Sequence, residues 1–210
     1  MYCSKPITIY QTLYIQNYLN LIKLLNLIDF LCVFCGIFMS LIIKTQANGI
    51  YQHETKALTK IREAFSVEDE MRKVSPWYGY AGYTLVDQIS KKEGEFDLIL
   101  VTNSVLIIVE LKDWNGKSIK TADGNWYMDD RDMGVSPVAL TRQKQFILMN
   151  KLKVLKNKFQ GNPGFVPRVH FYVVMCGKVN FSGLPDEDLN HVISLEKFLK
   201  FATKNNFNKE

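Results

Sequence analysis

Apolar positions along the 210-residue chain fall into two regimes that meet near Gln46. Before it, Leu24 to Ile43 is an almost continuous apolar run, broken by Asn26 and Asp29 and dense from Phe30 onward except at Gly36 and Ser40. After it, polar and apolar residues alternate with the periods of helix and strand. Ala57, Leu58, Ile61 and Phe65 predict a helix over residues 53–66, with Glu54 and Glu63 among its polar positions. Tyr80 to Val86 predicts a strand, and the runs Phe96–Val101 and Val105–Leu111, parted by Thr102-Asn103-Ser104, predict a hairpin. Lys117–Thr121 and Asn125–Met128 flank Ala122-Asp123-Gly124, a second turn signal. Pro137 to Asn157 predicts a long helix with Phe146, Leu148, Met149, Leu152 and Leu155 on one side. Arg168 to Cys176 follows as a buried strand and Leu195 to Thr203 as a closing helix. Helix, antiparallel strands, helix, strand, helix is the order of an α/β sandwich, not of a doubly wound sheet.

The first regime predicts a membrane segment. A bilayer core takes about 20 helical residues, which Leu24 to Ile43 supplies. The chain then divides into a tail (1–23), a transmembrane helix (24–43) and a folded domain (50–205). Lys44, Lys56, Lys60 and Arg62 follow the span while only Lys5 and Lys23 precede it, a bias that keeps the C-terminal domain cytoplasmic. The alternative is export after signal-peptide cleavage at Thr45-Gln46-Ala47; the long leader before the dense core and Lys44 ahead of the cut oppose it. Cys32 and Cys35 lie in the apolar helix without a βαβ context, so they read as packing or lipid-facing thiols.

Composition narrows the class. At 47% apolar and 22% charged residues the chain has the makings of a core, which excludes wholesale disorder. Cys3, Cys32, Cys35 and Cys176 with His53, His170 and His191 have no spacing for a structural zinc site. The net charge is +5; setting aside Lys5, Lys23 and Lys44 against Asp29 in residues 1–44 leaves 23 basic and 20 acidic residues, a mild excess that permits a phosphate-bearing partner without demanding one.

Candidate chemistry lies on the first hairpin. A two-residue turn at Asn103-Ser104 pairs Thr102 with Val105 and sets Asp97 opposite Glu110. Cβ atoms of opposed residues lie about 4.5–5.5 Å apart, where like charges destabilise. A divalent cation would remove the penalty. Lys112, two residues past Glu110, points to the same face. The alternative is a solvated ion-pair ladder at a strand end, and a one-residue slip would separate the carboxylates.

Asp97 followed by Glu110-Leu111-Lys112 resembles the D...ExK signature of the PD-(D/E)XK nuclease superfamily. More narrowly, Glu95-Phe96-Asp97, Val109-Glu110-Leu111-Lys112-Asp113-Trp114-Asn115-Gly116 and the Ser136-Pro137 helix start resemble the nuclease-related domain family, NERD, with similarity over roughly residues 54–200. The resemblance implies a restriction-endonuclease-like core, a central mixed sheet flanked by helices, and Mg²⁺- (or Mn²⁺-) dependent phosphodiester hydrolysis of nucleic acid, DNA before RNA. Asp97, Glu110 and the Leu111 carbonyl would hold the metal, with Lys112 serving the attacking water. The family's first-helix Glu corresponds to Glu54, with Glu63 the alternative. A family Gln after the second helix start is Leu140 here, with Gln143 and Gln145 a turn or so later. Gln143 is the candidate substrate contact, and Trp114 the candidate stacking surface for a base. Lys151, Lys153, Lys156 and Lys158 form the best basic strip. A module that keeps the fold but only binds DNA, or acts as a scaffold, is the rival.

Overall fold

Strands that are apolar at successive positions must be covered on both faces, and this requirement organises the molecule. The computed structural model describes residues 41–45, 52–66, 78–87, 89–101, 105–156 and 166–203. Their elements in chain order are β1 (Ile42–Thr45), α1 (Gln52–Ser66), β2 (Tyr78–Val86), β3 (Glu93–Val101), β4 (Val105–Lys112), β5 (Ile119–Ala122), β6 (Asn125–Met128), β7 (Arg131–Val135), α2 (Pro137–Val154), β8 (Arg168–Met175), α3 (Asp186–Leu189), β9 (Val192–Ser194) and α4 (Leu195–Thr203).

A six-stranded sheet runs in the order β1-β2-β3-β4-β8-β9. It is mixed: β2, β3 and β4 are antiparallel neighbours, whereas β1 joins β2, β8 joins β4 and β9 joins β8 in parallel. Helix α2 covers one face with Val138, Ile147, Leu148 and Leu152 against Ile99, Leu106, Ile108 and Phe171. Helices α1 and α4 cover the other, placing Ala57, Leu58, Ile61, Leu195 and Phe198 with Leu98, Leu100, Ile107 and Val109. Each buried Leu or Ile contributes about 1.5–3 kcal/mol of transfer free energy, so the central hairpin is the best anchored part of the fold. The expected α/β class and mixed sheet flanked by helices are therefore found.

The hairpin register is the expected one: Leu98 pairs with Val109, Ile99 with Ile108, Leu100 with Ile107 and Val101 with Leu106. Residues 102–104, the turn itself, lie outside the described residues. Helix α2 begins as predicted, with Pro137 in its first turn and the Ser136 hydroxyl accepting from the Ala139 N–H.

Four features depart from the sequence reading. Phe146, expected on the apolar side of α2, is 58% exposed; it lies about 200° round the helix from Leu148. The helix ends at Val154 instead of Asn157. A third strand, β7, joins β5 and β6 in a second sheet. The β6–β7 turn, Asp129-Asp130, takes positive φ at both residues, a tight turn built without glycine.

The fourth concerns the expected membrane span. Its positions 24–40, like the tail 1–23, lie outside the described residues, but Leu41 is 2% exposed within the α1–α4 core and Ile42–Thr45 pairs with Tyr78–Ala81. Ile42 and Ile43 are thus sheet residues, because parallel pairing along β2 satisfies their backbone and places Ile43 against the core. Among the described residues no helix is long and apolar enough to cross a membrane.

A fragment of residues 48–210 should therefore be less stable than one of residues 41–210. Loss of Leu41 and the β1 ladder should cost on the order of 2–3 kcal/mol, a drop in Tm of about 5–10 °C. Equal melting of the two fragments by circular dichroism would exclude β1 from the folded unit.

Candidate active site

The site begins where β2 and β3 stop pairing regularly. Ala81 pairs with Leu98 and Tyr83 with Phe96, while the ladder skips Gly82 and Asp97 between them. Gly82 adopts φ +68°, which a glycine takes without strain. Side-chain alternation slips there: Phe96 and Ile99, three residues apart, both join the core beneath α2. Asp97 is left free of the ladder at the end of the hairpin, and its Oδ2 accepts the Leu111 N–H at 2.7 Å. This bond extends the predicted register by one step, tying Asp97 to the strand that carries Glu110.

Glu110, 5% exposed, is gripped from two directions. Lys112 Nζ, from the same strand, donates to Oε1 at 2.8 Å, and Lys144 Nζ, from α2, donates to Oε2. These groups line a cavity of about 470 Å³ together with Glu54 of α1, Glu95, Asp113 and Trp114. Trp114 forms one wall, edge-on to the buried Trp126 at 6.1 Å between ring centres. Behind Trp114 only glycine fits at position 177, since a Cβ would overlap the Trp114 carbonyl.

Burial, then the charge of Glu110, pushes the Asp97 carboxyl up to about 7, against the opposing pull of Lys144, the Leu111 N–H and Lys112. Burial would also raise Glu110, but the attraction of Lys144 and Lys112 outweighs it and holds the carboxyl below its ordinary value. Burial likewise works against the Lys112 ammonium, and Glu110 with Asp97 and Glu54 overcomes it, so the Lys112 pKa is raised. One carboxylate is thus securely ionised and its neighbour is poised.

Among the described residues no three His, Cys, Asp or Glu side chains stand together so as to hold a metal by themselves. The donor chemistry nonetheless suits a hard divalent cation. Two carboxylates share a poorly solvated cavity, one driven up by the other's charge, and oxygen ligands are what Mg²⁺ takes.

The structure brings together Asp97, Glu110, Leu111, Lys112, Trp114 and Glu54. Glu63, the alternative on α1, is exposed and does not line the cavity. Gln143 is exposed on α2 and also absent from the lining, and Leu140 is exposed as well. Gln145 is turned to the sheet, donating to the Val169 carbonyl. The residue that α2 sends into the cavity is Lys144, which the sequence reading missed. Its signal was a lysine three residues after Thr141 and four before Leu148, both buried: a charge on the covered stripe of the helix. The basic strip Lys151, Lys153 and Lys156 does not reach the cavity, and Lys158 lies outside the described residues.

A mixed sheet flanked by helices, with Asp, Glu and Lys gathered at the end of its central hairpin, is the arrangement of a nuclease-like domain of the PD-(D/E)XK type. Residues 51–176 match the family described as NERD, nuclease-related domain, and the chain belongs to that family. No curated protein and no solved structure matches it.

The Asp97 shift predicts a pH signature in chelator-treated protein. A carboxyl whose pKa is higher folded than unfolded binds more protons in the folded state, so its contribution to stability declines as pH rises from about 4 to about 7 and then levels off. Asp97→Asn, neutral at every pH, should be more stable than wild type by on the order of 1–3 kcal/mol at pH 8, with the gain shrinking towards pH 4. A difference in denaturation midpoint that is flat with pH would show that Asp97 titrates normally.

Proposed function

We propose that this NERD domain hydrolyses phosphodiester bonds in nucleic acid, DNA in preference to RNA, with Mg²⁺ or Mn²⁺ as cofactor. The observation that carries the reading is the meeting of Asp97 with Glu110-Leu111-Lys112 in one cavity of about 470 Å³, in a chain of a nuclease-related family. Asp97, Glu110 and the Leu111 carbonyl would hold the metal, which supplies positive charge to the phosphate and acidity to a water. Lys112 brings an ammonium to the same place, where it orients the water and offsets negative charge developing on the phosphate. Glu54 of α1 adds a further carboxylate to the lining. Trp114, half-buried in the lining, would be the stacking surface for an unpaired base.

A non-catalytic reading, a DNA-binding or scaffold module with this fold, has its own support: each oxygen of Glu110 already carries a lysine, and Leu140 stands where the family has Gln. Cleavage separates the two readings.

We further propose that residues 24–40 tether the domain to a bilayer, with the domain on the cytoplasmic side. With Leu41 in the core and β1 in the sheet, at most seventeen residues of the apolar run remain for the span, the lower limit for crossing. Cleavage after Ala47 would strip β1 from β2, which speaks against export as a processed protein. In a membrane fraction the full chain should resist carbonate extraction; a soluble product starting at Asn48 would overturn the tether.

Mg²⁺ or Mn²⁺ should raise the Tm of the 41–210 fragment, since a ligand bound only by the folded state stabilises it, and Glu110→Gln should remove the increment. Lys112→Ala should lower cleavage of DNA by about 10²- to 10³-fold. Wild-type cleavage retained in both variants would assign the activity to a contaminant, and metal binding without cleavage of single- or double-stranded DNA or RNA would favour the binding module.

A further inference from the structure

The bonds to Glu110 single out Lys144. Lys112 takes Oε1 and Lys144 takes Oε2, so both oxygens of the carboxylate already hold an ammonium. A divalent cation that takes Glu110 as a ligand has to displace one of the two lysines, and they are not equivalent. Lys112 sits on β4, whose backbone pairs with Val174 and Met175 of β8 in this stretch, and its ammonium bonds a carboxylate only two residues away on its own strand. Lys144 reaches Glu110 from across the cavity, at the end of a flexible stem rooted on α2. That stem runs beside Gly94, where a Cβ would lie 3.4 Å from Lys144 Cγ. Pivoting about χ3 and χ4 would free the ammonium from Glu110 while keeping it in the same cavity.

Resting on the metal-dependent reading above, we propose that Lys144 is a built-in substitute cation: it occupies Glu110 Oε2 in the metal-free protein, is displaced when the metal enters, and then contacts the phosphate of the bound nucleic acid. Lys144 keeps the second oxygen of a buried carboxylate paired until the metal enters. Among the described residues it is one of two cations lining a cavity that Glu54, Glu95 and Asp113 would otherwise make repulsive to a phosphodiester. The position after the exposed Gln143 thus carries the α2 contribution to the site.

The test is a metal titration of the full chain by calorimetry, with Mn²⁺ and with Mg²⁺, in wild type, Lys144→Gln, Lys144→Met and Lys144→Arg. Removing a competing charge should tighten metal binding by roughly three- to tenfold in the Gln and Met variants, whereas Arg should stay near wild type. A merely structural lysine would do the reverse, since its loss would loosen the site and weaken the metal. Affinity for uncleaved DNA in Ca²⁺ should fall in the two neutral variants and persist in the Arg variant. In wild type, the side-chain ammonium resonance of Lys144 should move on addition of Mg²⁺ as its bond to Glu110 breaks, a readout that needs no variant to fold. Metal bound by wild type with that resonance unmoved, or with equal or weaker affinity in the neutral variants, overturns the proposal and leaves the nuclease reading standing. Absence of metal binding by wild type would overturn both.

Discussion

The ionised carboxylate of Glu110 is the constraint around which the rest of the domain is arranged. It sits near the end of a strand that is buried from Val105 to Leu111, with only 5% of its surface exposed. A carboxylate in such a place is tolerated only if paired. The structure pairs it twice, once from its own strand through Lys112 and once from the covering helix through Lys144. The cost of this choice falls on Asp97, which burial and then the same charge drive towards protonation. A site whose second carboxylate resists ionisation is one that a divalent cation would relax.

Getting two carboxylates there requires a rigid platform and a local break in it. The platform is the β3–β4 hairpin, apolar on both faces and clamped between α2 and the α1–α4 layer. Its register transmits the turn geometry along the strands to Asp97 and Glu110. The break is Gly82, whose positive φ lets β2 part from β3 at Asp97 and shifts the side-chain alternation by one position. Beyond the sheet, Trp114 continues from β4 into the segment that Gly177 and Lys178 hold by backbone contact, so the cavity wall is tied to the end of β8 as well. Site and core are therefore one cooperative unit, and changes at the mouth will be felt as stability as well as chemistry.

The N-terminal boundary has a physical consequence too. β1 pairs along the open side of β2, covering an edge that would otherwise present unpaired backbone groups. The apolar run ahead of the domain and the domain's own sheet thus share residues, leaving almost no spacer between Ser40 and the core. That junction lies at the hairpin-turn end of the sheet, where Ile42 pairs with Tyr78 and Tyr78 with Val101, whereas Glu110 and Lys112 stand towards the other end of β4.

Much of this was written locally in the chain. Helix α1, the hairpin register, β6 and the final helix follow from residues that are neighbours in sequence, where apolar period and turn chemistry act. The meeting of Asp97 with Glu110 and Lys112 followed from the same register, and the family from the same short stretch. What escaped depends on contacts between distant elements. Ile42 and Ile43 look like membrane residues until β2 is there to pair with β1. Strand β7, with the sequence Arg131-Asp132-Met133-Gly134-Val135, has no alternation of its own and exists because β6 offers it a ladder. Gln143, Lys144 and Gln145 are consecutive and each is a credible site residue by type. Which of them faces the cavity is set by the rotation of α2 as Leu148 and Leu152 settle on the sheet, and that rotation sends Gln143 to solvent, Gln145 to the Val169 carbonyl and Lys144 to Glu110. Local pattern determined the strand pair that bears the acids; only packing across the sheet decided which helix residue answers them, because a helix displays its side chains all round and has no facing side until something lies against it.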